Sequence, residues 1–270
     1  MTILVAGGDS FTFGNELRDT TRRQENGLRG LLFSEKTWAA LVAKELGMSY
    51  DCTAWGGHSN GSIARRTMAA CHKHLAQGHD VKVAVMWSFP SRFDFYFRYN
   101  TNEYENPWYT VTPWTHNIDE DVIKDSFETD QPHIFEHYKK NIKNMLTTGL
   151  AEFSKTWYKH VGNSGYYETY SSLKDIIFLQ DWLKIRNIPY VFTYVDECLF
   201  TQEVAGGDDS IITTFRESID MDKVYNIPEF PGFVIWAKEN GYEFGATHPL
   251  EKSHEDFTKE IMPFVEHCIK

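Results

Sequence analysis

Three observations predict an α/β fold with a parallel sheet and helices on both of its faces. Thr2 to Ala6 is a short apolar run without charge, the mark of a buried central strand. The segments after it alternate in type, β-α-β-α-β, as far as Trp87. The helical patterns are punctuated by capping chemistry, with Gly47 behind the first and Ser59 or Asn60 ahead of the second. Three layers around about five strands are expected.

The elements justify themselves in order. The first strand ends in Gly7-Gly8-Asp9-Ser10, where paired glycines let the backbone turn sharply and approach a ligand. Asn15 to Phe33 is charged and contains glycine, so an irregular excursion is expected. Trp38, Leu41, Val42 and Leu46 have helical spacing. Met48 to Ala54 reads as the second strand, Trp55 to Gly61 as a glycine-rich turn, Ile63 to Ala76 as a helix, and Val81 to Trp87 as the third strand. From Trp87 to Trp114 there are eleven aromatics, and Pro90, Pro107 and Pro113 argue against a continuous helix. This is an insertion at about 88–130 in a single domain spanning 1–270. Helices resume over Pro132 to His160 and Thr169 to Arg186. Pro189 to Val195 is the fourth strand, and Ile219 to Val224 is a short fifth. Gly206 to Asp209 is a loop. Phe233 to Asn240 and His254 to Ile269 are the closing helices, with Phe244 to Ser253 a loop between them.

The formal net charge of −11 disfavours nucleic acid and anionic membrane surfaces, both of which select basic patches. Cys52, Cys71, Cys198 and Cys268 form no Cys-x-x-Cys pair and fit no zinc module, so reduced thiols in a cytoplasmic setting are expected. The amino terminus runs directly into a strand, and no stretch has the length and apolarity of a signal or a membrane span.

A serine at the carboxyl end of a strand sits where open α/β sheets place their sites, and it needs a base to become a nucleophile. His248, in Gly245-Ala246-Thr247-His248-Pro249, is the candidate, held out of a helix by the following proline. Asp9 is read as holding the turn through side-chain hydrogen bonds.

Gly8-Asp9-Ser10 after an amino-terminal strand, a glycine turn after the second strand and His248-Pro249 before the last helix together resemble the SGNH, or GDSL, hydrolases. The pattern is most similar to the divergent versions encoded by tailed phages. The resemblance implies a flavodoxin-like three-layer α/β/α sandwich, esterase chemistry through an acyl-serine, and no cofactor or metal. The implied substrate is a small-molecule or carbohydrate ester. Ser10 matches the nucleophile, with its N–H in the oxyanion hole. Gly57, or its neighbour Gly56, matches the glycine donor, and His248 matches the general base. The chain is expected in the cytoplasm, or in the virion if phage-encoded.

Two positions depart from that pattern. The family's Gly-x-Asn-Asp block after the third strand reads Trp87-Ser88-Phe89-Pro90-Ser91-Arg92 here. Asn60, Ser88 or Arg92 could stand in for the absent oxyanion Asn; Trp87, Ser88 and Arg92 are also the substrate-binding candidates. The Asp three residues before the histidine is Gly245, leaving Glu243, Glu251 or a backbone carbonyl to orient the imidazole. These departures support an alternative, a degenerate SGNH-like binding or structural protein. Its aromatic insertion would contact a protein partner or a second copy.

Three other motifs compete. His133 to His137 spells His-x-x-Glu-His, the inverted zinc-protease motif. With 11 histidines and 38 acids such a match arises by chance, and no metal site is assigned. His72 and His74, and the Arg65-Arg66 pair, are read as solvated helix faces.

Overall fold

The computed structural model describes residues 1–20, 33–96, 108–113, 115, 145–201, 204 and 210–269. Four parallel strands form the main sheet in the order β2-β1-β3-β6: β1 (Thr2–Gly7), β2 (Ser49–Cys52), β3 (Asp80–Trp87) and β6 (Tyr190–Tyr194). In register, Val5 faces Asp51 on one side and Val83 on the other. The chain leaves β1 in one direction to β2 and returns past it to β3. The carboxyl ends of β1 and β3 therefore flank the switch point of the sheet.

Side-chain alternation divides the core. Ile3 and Val5 of β1, Val83, Val85 and Trp87 of β3, and Phe192 of β6 point to one face. Leu4, Ala6, Met86 and Val191 point to the other. The first face is covered by α3 (Asn60–Ala76), α5 (Gly165–Ile185) and α7 (Ser210–Ser218). The second is covered by α2 (Trp38–Glu45), α8 (Phe233–Glu239) and α9 (Glu251–Ile269). The three strands β1, β3 and β6 are buried almost throughout, which is why they read as nearly unbroken apolar runs, whereas the edge strand β2 is only partly buried. This is the predicted α/β/α sandwich.

The helix caps form as their chemistry dictates. Thr37 Oγ1 accepts from the Ala40 N–H at the start of α2, and Gly47 follows that helix at φ +64°. Ser59 caps α3, accepting from Ser62 N–H at 3.1 Å, while Asn60 is already the first helical residue.

The expected fifth strand is reduced. Met221–Lys223 is a 3₁₀ turn, and a single parallel bridge joins Val224 to Phe192. Ile219 packs into the core instead of pairing.

After β3 the chain forms an antiparallel hairpin, β4 (Phe93–Tyr96) and β5 (Trp108–Val111). Phe93, Val111, Leu150 and Tyr158 bury against one another beside α4 (Leu150–Trp157) and the π turn Tyr158–Gly162. The Tyr158 hydroxyl donates to Ser91 O at 2.6 Å and to Val111 O at 3.1 Å, tying the hairpin to that turn. Phe93, Phe95 and Tyr109 of the aromatic stretch thus belong to a small satellite core. The His133–His137 motif and the Gly206–Asp209 loop lie outside the described residues.

Candidate active site

The site is assembled at the carboxyl ends of β1 and β3. The chain leaves β1 through Gly8 and enters α1 (Ser10–Phe13), one turn that ends at Gly14, φ +87°. A Cβ on Gly8 would lie 2.3 Å from Thr12 Oγ1, so the turn closes on itself only because residue 8 has no side chain. Asp9 rather than Ser10 caps the helix, its Oδ1 accepting from Phe11 N–H at 3.1 Å. Ser10 becomes the first helical residue and is 6% exposed.

Asp9 also anchors the strand ends to each other. Its Oδ2 accepts from Ser88 Oγ at 2.6 Å and from Arg92 Nη1 at 2.8 Å. Ser88 is held in turn by Asn60, which accepts from Ser88 N–H at 2.9 Å and donates to Ser88 O at 3.1 Å. The second Nδ2 hydrogen of Asn60 goes to Ser172 Oγ at 3.1 Å. Asn60 therefore has no amide hydrogen left for an oxyanion, and it acts as a brace between α3, β3 and α5. The sequence did not signal this brace.

The three substrate-binding candidates lie in different surroundings. Trp87 is fully buried and meets Phe192 edge-on at 5.2 Å, so it is a core residue. Ser88 is also fully buried, and its hydroxyl is bound to Asp9. Arg92 is largely buried against Asp9, yet it lines a cavity of about 310 Å³ between α3, α5 and the hairpin, with Asp94, Trp108 and Asp175. Arg65 stacks on Trp108 and pairs with Asp94, and Arg66 donates to Thr53 O, so neither is a merely solvated arginine. His74 likewise pairs with Asp51 at 2.6 Å.

On the opposite side of the Ser10 turn, the loop between α8 and α9 delivers His248. Gly245 N–H donates to His248 O and Leu250 N–H to Glu243 O, closing a small loop around the histidine. The imidazole packs on the Phe11 ring, centroids 4.8 Å apart, so the histidine reaches the residue next to Ser10 across 237 positions of sequence. No hydrogen bond joins Ser10 Oγ to the ring among the described residues; such contacts commonly tighten only with substrate in place.

His248 Nδ1 instead faces Glu16, 2.9 Å from Oε1. Glu16 also accepts from Thr247 Oγ1 at 2.9 Å, from Thr247 N–H at 3.1 Å and from His248 N–H at 3.4 Å. Partial burial alone would raise the Glu16 carboxyl, but the His248 hydrogen bond and charge, with the Thr247 donors, pull it down to about 2. Its backbone lies at φ +70°, a conformation that costs a non-glycine residue on the order of 1–3 kcal/mol and is held here by those bonds. Of the two neighbouring carboxylates considered for His248, that of Glu251 is engaged elsewhere. Glu251 accepts from Arg18 N–H and pairs with Lys36, and the Glu243 backbone closes the loop.

The glycine turn after β2 completes the rim. Gly57 has φ +81° and open space where a Cβ would stand, whereas a Cβ on Gly56 would meet the Asn15 amide at 3.0 Å. Among the described residues, neither the Ser10 nor the Gly57 N–H donates a hydrogen bond. The next residue, His58, is buried; burial first, and then Arg66 and Arg65, hold it neutral, with its pKa lowered to about 3. Among the described residues no three His, Cys, Asp or Glu side chains group as a metal site, and no helix is long and apolar enough to cross a membrane.

The fold and site define an α/β/α protein with a serine, a carboxylate-bound histidine and free backbone donors at its switch point. No family model and no curated protein matches the sequence. Among solved structures the chain is similar to the esterase EstA of a Pseudoalteromonas species, at 11% identity and a TM-score of 0.43 over 98% of this chain and 97% of that one. It is similar to the acetyl xylan esterase Est2A of Butyrivibrio proteoclasticus at 12% identity and a TM-score of 0.44, covering 98% of this chain and 63% of that one. A carbohydrate esterase family 2 enzyme of Corynascus thermopiles is similar at 13% identity and a TM-score of 0.44, covering 99% of this chain and 66% of that one.

Proposed function

We propose that the chain is an SGNH-type serine hydrolase that cleaves an ester through Ser10 and His248. The single observation that supports this most is the 4.8 Å contact of the His248 ring with Phe11, the residue that follows Ser10. With Nδ1 engaged by Glu16, Nε2 is the nitrogen that accepts the Ser10 proton. Ser10 Oγ bonds to the substrate carbonyl carbon, and the carbonyl π electrons move to oxygen. The oxyanion is stabilised by the Ser10 and Gly57 N–H groups. His248 then returns the proton to the departing alcohol, leaving an acyl-serine, and water repeats the sequence to release the acid.

With Asn60 bound to Ser88 and Ser172, this oxyanion hole has two donors rather than three. One missing donor costs about 10²–10³ in rate, so turnover is expected to be slow. The substrate class proposed is a small-molecule or carbohydrate ester. A fluorophosphonate probe tests the reading. It should label wild-type protein at Ser10 and leave folded Ser10→Ala unlabelled. An unlabelled wild type overturns the hydrolase and supports the binding-protein alternative.

A further inference from the structure

We infer that Glu16 is the positioning carboxylate of this site, reaching His248 Nδ1 through the space that Gly245 leaves by having no side chain. The inference rests on the hydrolase reading, and it relocates one function from the loop that carries the histidine to the turn that follows the nucleophile.

Two independent features of the structure support it. The first is the bonding pattern. Glu16 does not merely lie near the histidine: Oε1 takes the ring Nδ1–H and the Thr247 hydroxyl, and Oε2 takes the backbone N–H groups of Thr247 and His248. One carboxylate thereby fixes the ring, its tautomer and the backbone that carries it. Thr247 Oγ1 is also 2.8 Å from Nδ1, so the ring cannot rotate without breaking a shared network. The side chains of Glu16 and His248 are 23% and 14% exposed, which shields the pair from water.

The second feature is exclusion. A Cβ built on Gly245 would stand 2.1 Å from Glu16 Oε2 and 3.2 Å from Glu16 Cβ. Any side chain at 245 therefore competes for the volume that the Glu16 carboxylate fills. The two positions behave as alternatives: a carboxylate can arrive from residue 245 or from residue 16, not from both. The left-handed backbone at Glu16 aims the side chain across the turn toward that volume. The general principle is that a base gains from an oriented tautomer whichever segment of chain supplies the acceptor.

The test uses the full-length chain. Fluorophosphonate labelling of wild-type Ser10 is measured first, and its absence refutes the hydrolase reading itself. Given labelling, Glu16→Gln should lower kcat for a short acyl ester by about 10²–10⁴ with little change in KM. Glu16→Ala should do the same, and the double variant Glu16→Ala, Gly245→Asp should recover roughly tenfold or more over Glu16→Ala alone. A proton NMR signal from the His248 Nδ1–H should stand far downfield in wild type and in Ser10→Ala, and vanish in Glu16→Gln. If a variant at 16 fails to fold, Gly245→Ala, which leaves Glu16 in place, should displace the carboxylate and lose both kcat and the signal. Full kcat in folded Glu16→Gln, or an unchanged downfield signal, overturns the inference while leaving Ser10 and His248 standing.

Discussion

Arg92 Nη1 lies 2.8 Å from Asp9 Oδ2, in an ion pair whose side chains are 5% and 0% exposed. Asp9 belongs to the turn after β1 and Arg92 to the segment after β3, so the pair spans the switch point directly behind Ser10. Removing one member of a buried pair leaves an uncompensated charge, at a cost of about 3–5 kcal/mol. Arg92→Met should lower the free energy of urea unfolding by that amount. Arg92→Met with Asp9→Asn should lose distinctly less than the two single variants together. Additive losses would show that the pair is not coupled.

Gly245 and Glu16 should also be coupled. In the wild-type background Gly245→Ala forces a Cβ to within 2.1 Å of Glu16 Oε2, and a loss of about 1–3 kcal/mol is expected. In a Glu16→Ala background the same substitution meets no carboxylate, only the 3.2 Å contact with the Cβ of residue 16, and should cost distinctly less. Equal effects in the two backgrounds would place the clash elsewhere.

Stability should fall with acid in two stages. His58 and His254 are buried bases, both held down to about 3 from 6.5, first by burial. Arg66, Arg65 and Arg92 add to this at His58, and His248 at His254, where Glu251 opposes it. Below pH 6.5 the unfolded chain binds protons that these folded imidazoles refuse. Their contribution is complete above 6.5 and is lost as pH falls through 3. Glu16, lowered from 4.5 to about 2, contributes fully above 4.5 and loses that contribution as pH falls toward 2. His254 Nδ1 accepts from Trp38 N–H, a role an asparagine oxygen can fill. His254→Asn should therefore flatten the decline between about pH 6.5 and 4.5, and Glu16→Gln the decline below about 4.5, in urea midpoints measured across pH. A wild-type midpoint that stays constant from pH 7 to 4 would contradict both assignments.

The thiols should be inert in the folded chain. Burial pushes Cys52 to about 11 and Cys71 and Cys198 to about 12, so almost no thiolate is present near neutrality. Iodoacetamide at about pH 7.5 should modify the native protein far more slowly than the urea-unfolded chain, which offers all four cysteines. Rapid labelling of folded Cys52, beside the Ser10 turn through its contact with Thr12 O, would refute this.

Trp87→Phe separates core from site. The indole is fully buried and its Nε1 has no hydrogen-bond partner among the described residues, so the substitution should cost about 1–2 kcal/mol of stability. KM for an acyl ester should not change; a large rise would return Trp87 to the substrate.

The sequence by itself determined the layers, because burial on both faces of a parallel sheet leaves unbroken runs such as Thr2–Ala6 and Val81–Trp87. It also marked the turn at Gly8-Asp9-Ser10 and the loop at His248-Pro249, since glycine and proline restrict the backbone locally. A fifth strand at Ile219–Val224 was legible but shrank to one bridge, because β6 offered pairing there to Val224 alone. The side-chain partners were decided only by tertiary structure. Asn60 carries an amide suited to an oxyanion, yet its neighbours across space are Ser88 and Ser172. Trp87 looks like a binding residue by type and is core by the phase of its strand. Glu16 has no periodicity, no motif and no proximity in sequence to His248, and its only trace was a glycine at 245. A hydrogen bond between residues 232 positions apart depends on where two loops come to rest, and that is fixed by the packing of the elements that carry them.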